Sequence, residues 1–279
     1  MNLTETCQTL GVSRGGYQSH RQKHRRPRHR EDALLAAELR VAFTASRHTY
    51  GSPRLRHALR RKGLCAGKNR IARLMREHHL RVRGKRRFVP RTTLCSPHDP
   101  VSPNHLLHAP APRRPNEVWV TDITYIPTRE GWLYLAAELD LCSRSILSWS
   151  THHTLETSLP ATALERALTR RSRSADLRRL LHHSDRGCQF TSAAFRKRLR
   201  LRGITQSMSR KGNCYDNAAM ESFWATLKAE CFGDNIPATH AEARSMIFDY
   251  IETFYNPVRL HSSLDFKSPV EFENSLPLN

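Results

Sequence analysis

Along the second half of the chain, apolar residues recur first at every second position and then at every third or fourth. Three runs rich in Val, Ile, Thr, Trp and Tyr, at 117–128, 131–144 and 145–153, predict three strands, with turn signals at Arg129–Gly131 and Ser143–Ser145. In the first run, alternation places Val118, Val120, Asp122, Thr124 and Ile126 on one face. An amphipathic helix is predicted at 157–172. A short apolar strand then starts at 177 and ends at Asp185, and a basic helix over 191–203 opens at Thr191 or Ser192 and stops at Gly203. A short strand at 204–209 and a polar loop, RKGNCYDN, lead into the helix NCYDNAAMESFWATLKAE at 213–230. At about 100° per residue its apolar stripe is Met220, Phe223, Trp224, Leu227 and Cys231, the ordinary core-facing side. Glu221, Asn217 and Lys228 share a narrow arc at the border of that stripe. This order of strands and helices predicts an α/β domain around a mixed sheet. Further on, 250–272 reads as an aromatic-rich helix, a Pro stop and a basic loop. Phe254 and Tyr255 are expected in the core there, and Arg259 and His261 within reach of DNA.

The first half has a different pattern. SPRLRHALRRKG (52–63) begins with a Ser-Pro helix start and ends at a Gly stop, with Leu55, Ala58 and Leu59 at helical spacing. GKNRIARLMREHHLRVRG (67–84) puts Ile71, Leu74 and Met75 on one face. Two short helices, a Gly-containing turn and a basic second helix fit a helix-turn-helix. Arg54, Arg56, Arg60, Lys68, Arg70 and Arg73 are the candidate DNA contacts. TCQTLGVSRGGYQSH (6–20) reads as a further helix, turn and helix start, and RQKHRRPRHR (21–30) as a flexible basic arm that tracks phosphates.

Charge separates the two halves. The 279 residues carry 46 Lys and Arg against 25 Asp and Glu, a net charge of +21. Residues 1–115 hold 26 of the basic and 6 of the acidic side chains, so nearly all the excess lies there. A polyanionic partner is implied, with nucleic acid first and an anionic membrane surface second. The expected organisation is a basic helical region at 1–96, helix-turn-helix-like over about 31–90, then a Pro- and His-rich linker at 97–115, then a second domain at 116–275. No run approaches the roughly 18–20 apolar residues that span a bilayer. Seven cysteines without a Cys-x-x-Cys pair argue for reduced thiols in a cytosolic protein, and His24 and His29 are read as part of a basic solvated segment rather than a zinc site.

Three carboxylates carry the chemistry. Asp122 lies on an apolar strand face, where an isolated carboxylate is costly without a cation; the alternative is an aspartate bonded to backbone amides. Asp185 ends a strand. Glu221 taken alone reads as a surface charge. Together they offer hard oxygen ligands for two Mg²⁺ or Mn²⁺ ions, which suit an in-line displacement at phosphorus.

The segments GVSRGGY, YGSPRLRHALRRKG, VWVTDITYIPT, LLHHSDRGCQFTS, SMSRKGNCYDNAAMESFWATLKAE and YIETFYNPVRLHSSL resemble, in order and spacing, the second-reading-frame product of two-frame bacterial insertion-sequence transposases, of the retroviral-integrase superfamily. The resemblance implies a ribonuclease H-like integrase core, a mixed five-stranded sheet flanked by helices with a C-terminal helical extension, behind a basic all-α domain. It implies Asp122, Asp185 and Glu221 as the catalytic, metal-binding triad and Lys228 at the DNA; Asn217, on the same arc of the helix, is a further candidate DNA contact. It also implies a Mg²⁺-dependent strand transferase acting on terminal inverted repeats and target DNA, assembled as a homo-oligomer on paired ends. An upstream-frame product, separate or fused by frameshifting, and a cytoplasmic, nucleoid-associated bacterial setting are implied as well. The competing readings are a repressor or silent relic that only occupies element ends, and a nuclease that only hydrolyses.

Overall fold

The computed structural model describes residues 2–21, 27–82, 101–107, 109–171, 177–210 and 217–277. They form two compact units, divided between Val82 and Arg83. Among the described residues no helix is long and apolar enough to cross a membrane.

The first unit is helical: α1 (Leu3–Thr9), α2 (Arg14–Arg21), α3 (Pro27–Ala45), α4 (Ser52–Arg61) and α5 (Lys68–Glu77). Gly11, at φ +63°, makes the turn between α1 and α2. The core of the unit is Leu35, Leu39 and Phe43 of α3 against Leu55 and Leu59 of α4 and Ile71, Leu74 and Met75 of α5, all buried. The basic arm expected at 21–30 is therefore helical in part: 27–30 form the first turn of α3, and 22–26, with His24, lie outside the described residues. α5 is shorter than expected. His79 takes a left-handed conformation (φ 55°) and Leu80 N–H closes back on Met75 O, which ends the helix.

Arg70 and Arg73, although partly exposed, are engaged with carboxylates of their own unit. Arg70 Nε and Arg73 Nη2 each donate to Asp32 of α3, both at 2.6 Å, and Arg73 Nη1 also reaches Glu77 at 2.8 Å. Burial works against the Asp32 carboxylate, but the bonds from Arg73 and Arg70 outweigh it and hold its carboxyl below the usual range. A depressed carboxyl stabilises the fold above its unfolded value, about 4, and loses that contribution as pH falls through the folded value. Asp32→Asn is thus expected to lower protection of the α3 and α5 amides at neutral pH and to leave little difference from the unaltered chain at low pH. Hydrogen exchange across that range checks it; a difference that grows on acidification would contradict it.

The second unit holds a five-stranded mixed sheet, as the sequence predicts: β1 (Val118–Thr128), β2 (Gly131–Asp140), β3 (Ile146–His152), β4 (Leu181–Ser184) and β5 (Thr205–Met208), in the order β3-β2-β1-β4-β5. β1–β2–β3 is an antiparallel meander, while β4 runs parallel to β1 and β5 parallel to β4. One face carries α6 (Ser158–Arg171) and α8 (Ala193–Leu201), packed through Leu164, Leu168, Phe195 and Leu199 onto Trp119 and Leu147. On that face His182 Nε2 meets Glu138 Oε2 at 3.0 Å, both side chains fully buried. The short α7 (Cys188–Thr191) precedes α8. The segment expected as a linker is partly docked: His105 N–H donates to Ser207 Oγ and Met208 N–H to Pro103 O, which lays 103–105 along β5.

After β5 come α9 (Ala218–Leu227), α10 (His240–Phe248) and α11 (Pro269–Asn274). α9 does not run on to residue 230 as an α-helix. It widens into a π-helical turn over Lys228–Phe232, so the position inward of Leu227 is Phe232, five residues on, and Cys231 falls half out of the core. Arg259, expected near DNA, is buried: its Nε and Nη2 donate to both oxygens of Glu230 at 2.7 Å, and Tyr250 Oη donates to Glu230 Oε2 at 2.8 Å. Burial disfavours the Arg259 cation, yet the bonds to Glu230 raise its pKa above the ordinary value.

Candidate active site

Sheet register brings the first two carboxylates together. In the parallel β1–β4 pair Val118 faces Leu181 and Val120 faces His183. Two residues further along both strands, on the same face, are Asp122 and Asp185. Adjacent strands lie about 4.8 Å apart, so two carboxylates level with one another repel. Burial first and then the charge of Asp185 push the Asp122 carboxyl up to about 7, with a last, smaller contribution from Glu221; the Ile123 amide and the Trp224 indole pull the other way.

The alternative reading of a strand aspartate is realised elsewhere. Asp140, at the end of β2, accepts from the backbone of Asn116, Cys142 and Ser143 at 2.6, 3.0 and 2.8 Å, which marks it as a turn-building residue. Asp122 has no such cage. Its side-chain partner is Trp224, whose indole Nε1 donates to Oδ2 at 3.0 Å. Trp224 reads from the sequence as plain core; the available signal was that a buried indole N–H requires an acceptor.

Asp185 is set by the turn that follows it. Gly187 N–H donates to Asp185 Oδ1 at 2.9 Å, and Arg186 Nε to Ser209 O at 2.7 Å, tying the end of β4 to the end of β5. A Cβ at Gly187 would come within 3.1 Å of Asp185 Oδ1 and 3.2 Å of Gln189 Oε1, so a side chain there would press on the Asp185 carboxylate.

Glu221 lies in the first turn of α9, exposed, with partial desolvation raising its carboxyl. Lys228 follows at the end of the helix, half-buried. Burial lowers its pKa and the negative charge of Asp122 works against that, which places the ammonium in the field of the carboxylates. Asn217 is buried rather than presented to a ligand, and its Nδ2 donates to Thr121 O at 3.3 Å, pinning the start of α9 to β1. Among the described residues no three His, Cys, Asp or Glu side chains already converge to cage a cation. The structure therefore brings Asp122 and Asp185 together as a mutually repelling oxygen pair, with Glu221 and Lys228 beside it. Such a pair suits a divalent cation.

Of the candidate contacts on the first unit, Arg56, Arg60 and Lys68 are exposed, and Arg54 stacks on Tyr50 with its guanidinium 5.7 Å from the ring. Asn69, beside Lys68 at the start of α5, is exposed as well and was not singled out by the sequence pattern.

Residues 112–214 and 202–269 match family descriptions named "Integrase core domain", and residues 29–88 match "HTH-like domain". The chain is 44% identical over 267 residues to the insertion element IS600 uncharacterized 31 kDa protein of Shigella sonnei, covering 95% of this chain and 96% of that protein. It is 39% identical to the transposase of insertion sequence IS904 from Lactococcus lactis subsp. lactis, over 90% of this chain and 98% of the other. With transposase InsF of IS3A from Escherichia coli K12 it shares 38% identity over 98% and 94% of the two chains. Among solved structures, a chain of the simian T-cell lymphotropic virus intasome in complex with PP2A regulatory subunit B56 gamma superimposes with a TM-score of 0.50 at 18% identity, over 80% of this chain and 72% of that one, a likeness of fold.

Proposed function

The chain belongs to the insertion-sequence transposases, DNA strand transferases on an integrase core, and from that premise we propose that Asp122, Asp185 and Glu221 are its catalytic triad. The observation that carries this reading is the adjacent carboxylate pair at β1 and β4: a buried carboxylate raised to about 7 by burial and by its neighbour, without the three-amide cage that Asp140 has. Two divalent ions, Mg²⁺ or Mn²⁺, would supply charge neutralisation at the phosphate and at the attacking and leaving oxygens. Asp122 and Asp185 would hold them, with Glu221 as the third, more exposed ligand.

The protein's own groups set the rest. Trp224 fixes Asp122 Oδ2 through its indole N–H and so holds the carboxylate in place. Asn217 anchors the start of α9 and with it Glu221. Lys228 offers a cation to a phosphate beside the carboxylates. In the reaction this site would perform, water attacks phosphorus at the element end and the 3′-oxygen leaves, taking a proton. The freed 3′-hydroxyl then attacks a phosphodiester of the target. Terminal inverted repeats are the substrate in this reading, with Arg56, Arg60 and Lys68 on the phosphates of the bound duplex. Assembly on paired ends, and joint action with an upstream-frame product, follow from the resemblance noted in the sequence.

Incubating the unaltered chain with duplexes that carry the element ends tests this. Cleavage that yields a free 3′-hydroxyl is expected with Mg²⁺ or Mn²⁺, and its arrest by a chelator, with DNA binding retained. Undiminished cleavage in the chelator would refute the metal assignment, and binding without any cleavage would favour the repressor.

A further inference from the structure

The near-neutral charge of the second half conceals a strong segregation. Residues 116–279 carry 20 Lys and Arg, and 12 of them fall between Arg166 and Arg202, where the only acids are Asp176 and Asp185. The fold gathers much of this excess on one surface. α6 and α8 lie side by side on the sheet, and an open groove of about 720 Å³ runs there, lined by Ser158, Thr162, Thr169 and the arginines 166, 170 and 198, with Glu165 its one carboxylate.

Glu165 is divided between two guanidiniums: Arg202 Nη2 at 3.2 Å and Arg198 Nε at 3.9 Å, so one of those charges stays unmatched. Arg166 Nη1 and Arg170 Nη1 donate to the carbonyls of Trp149 and Leu147, which fixes their side chains without neutralising them, although Arg170 also has Glu252 at 3.6 Å. Lys197 and Arg200 on α8, and Arg202 just after it, stand exposed. Among the described residues of the two helices, Leu201 is the one large exposed apolar side chain, at 73%. Protein interfaces are built around an apolar centre, which this face lacks, whereas held guanidiniums and hydroxyls suit phosphate oxygens.

The surface lies on the sheet face opposite Asp122, because α6 and α8 pack on Trp119, its alternate neighbour in β1. A duplex seated here is therefore not the stretch of DNA at the carboxylates. Resting on the transposase reading above, we propose that the outer face of α6 and α8 binds a second segment of duplex DNA through its phosphates, without base readout.

The test uses the full chain bound to an immobilised element-end duplex, which then captures a labelled second duplex of unrelated sequence. Lys197→Gln, Arg200→Gln and Arg202→Gln combined should cut capture by about tenfold or more and lower the salt dependence by up to about 0.9 per lost phosphate contact, with end cleavage within about twofold. Glu165→Gln, which releases Arg198 and Arg202, should move capture the other way. Unchanged capture in both variants would overturn the surface, as would a loss of capture matched by an equal loss of cleavage, or a preference for single-stranded RNA over duplex DNA. An unaltered chain that leaves element ends uncut would overturn the active-site reading and this surface with it, whereas normal cleavage with unchanged capture sinks the surface alone.

Discussion

Replacing Asp122 or Asp185 by asparagine, or Glu221 by glutamine, is expected to reduce metal-dependent cleavage and joining by about 1,000-fold or more, with binding to element ends unchanged. Stabilising the charge at phosphorus is worth several kcal/mol, and each 1.4 kcal/mol is tenfold in rate. The same variants carry a second expectation, in stability. The Asp122 carboxyl sits at about 7, above its unfolded value, so its ionisation works against the metal-free fold increasingly as pH rises from the unfolded value through 7. Asp122→Asn should leave the metal-free chain at pH 8 as stable as the unaltered chain or more so, since an asparagine oxygen still accepts from Trp224. Asp140→Asn should instead destabilise by about 1–3 kcal/mol, because it disturbs an acceptor of several buried donors. Denaturant unfolding at pH 8 separates the two. A large stability loss in Asp122→Asn would make it structural, and near-normal strand transfer in any of the three variants would end the triad assignment.

Arg259→Ala should destabilise the second unit by about 3–5 kcal/mol, the usual result of leaving one member of a buried ion pair alone. Glu230 would keep the Tyr250 hydroxyl but lose the guanidinium that now meets both of its oxygens. Arg259→Lys retains the charge but not the planar two-point contact and should recover part of the loss. Replacing both residues by methionine should recover most of it, since the unpaired charge goes too. The role can be told from DNA contact: a structural clamp leaves the salt dependence of DNA binding untouched, while a phosphate contact would lower it by about 0.9. Unfolding curves together with a salt titration decide the matter, and an unchanged unfolding midpoint would refute the clamp.

These residues show what sequence pattern can and cannot carry. Alternation in β1 and the apolar spacing of α4, α5 and α9 are local, and they place Asp122, Leu55, Ile71 and Met220 correctly. α3 leaves a weaker trace: its buried side includes Ala36 and Ala42, while Leu34 and Val41 face solvent at 73% and 55% exposure, so its hydrophobic pattern runs against its packing. The π-helical turn has no signature in residue type, and a single extra residue in one turn moves the stripe from Cys231 to Phe232. Arg70, Arg73 and Arg259 look alike from the sequence, as basic residues near a DNA enzyme's surface. Their partners, Asp32 and Glu230, lie 29 to 41 positions away in the chain, beyond any local pattern. The proposed triad comes from resemblance more than from pattern; the register of β1 and β4 is what gives Asp122 and Asp185 a physical reason to be neighbours.

That register also bears on when the enzyme comes into being. Asp122 and Asp185 are 63 positions apart, on parallel strands, and a parallel pairing of such separation closes only after the intervening chain has been organised. During synthesis the β1–β2 hairpin can form with one edge of β1 still bare, and β4 fills that edge later. On the proposed assignment, a partly made chain can therefore carry the whole basic unit and bind DNA before the carboxylates that would cut it are paired.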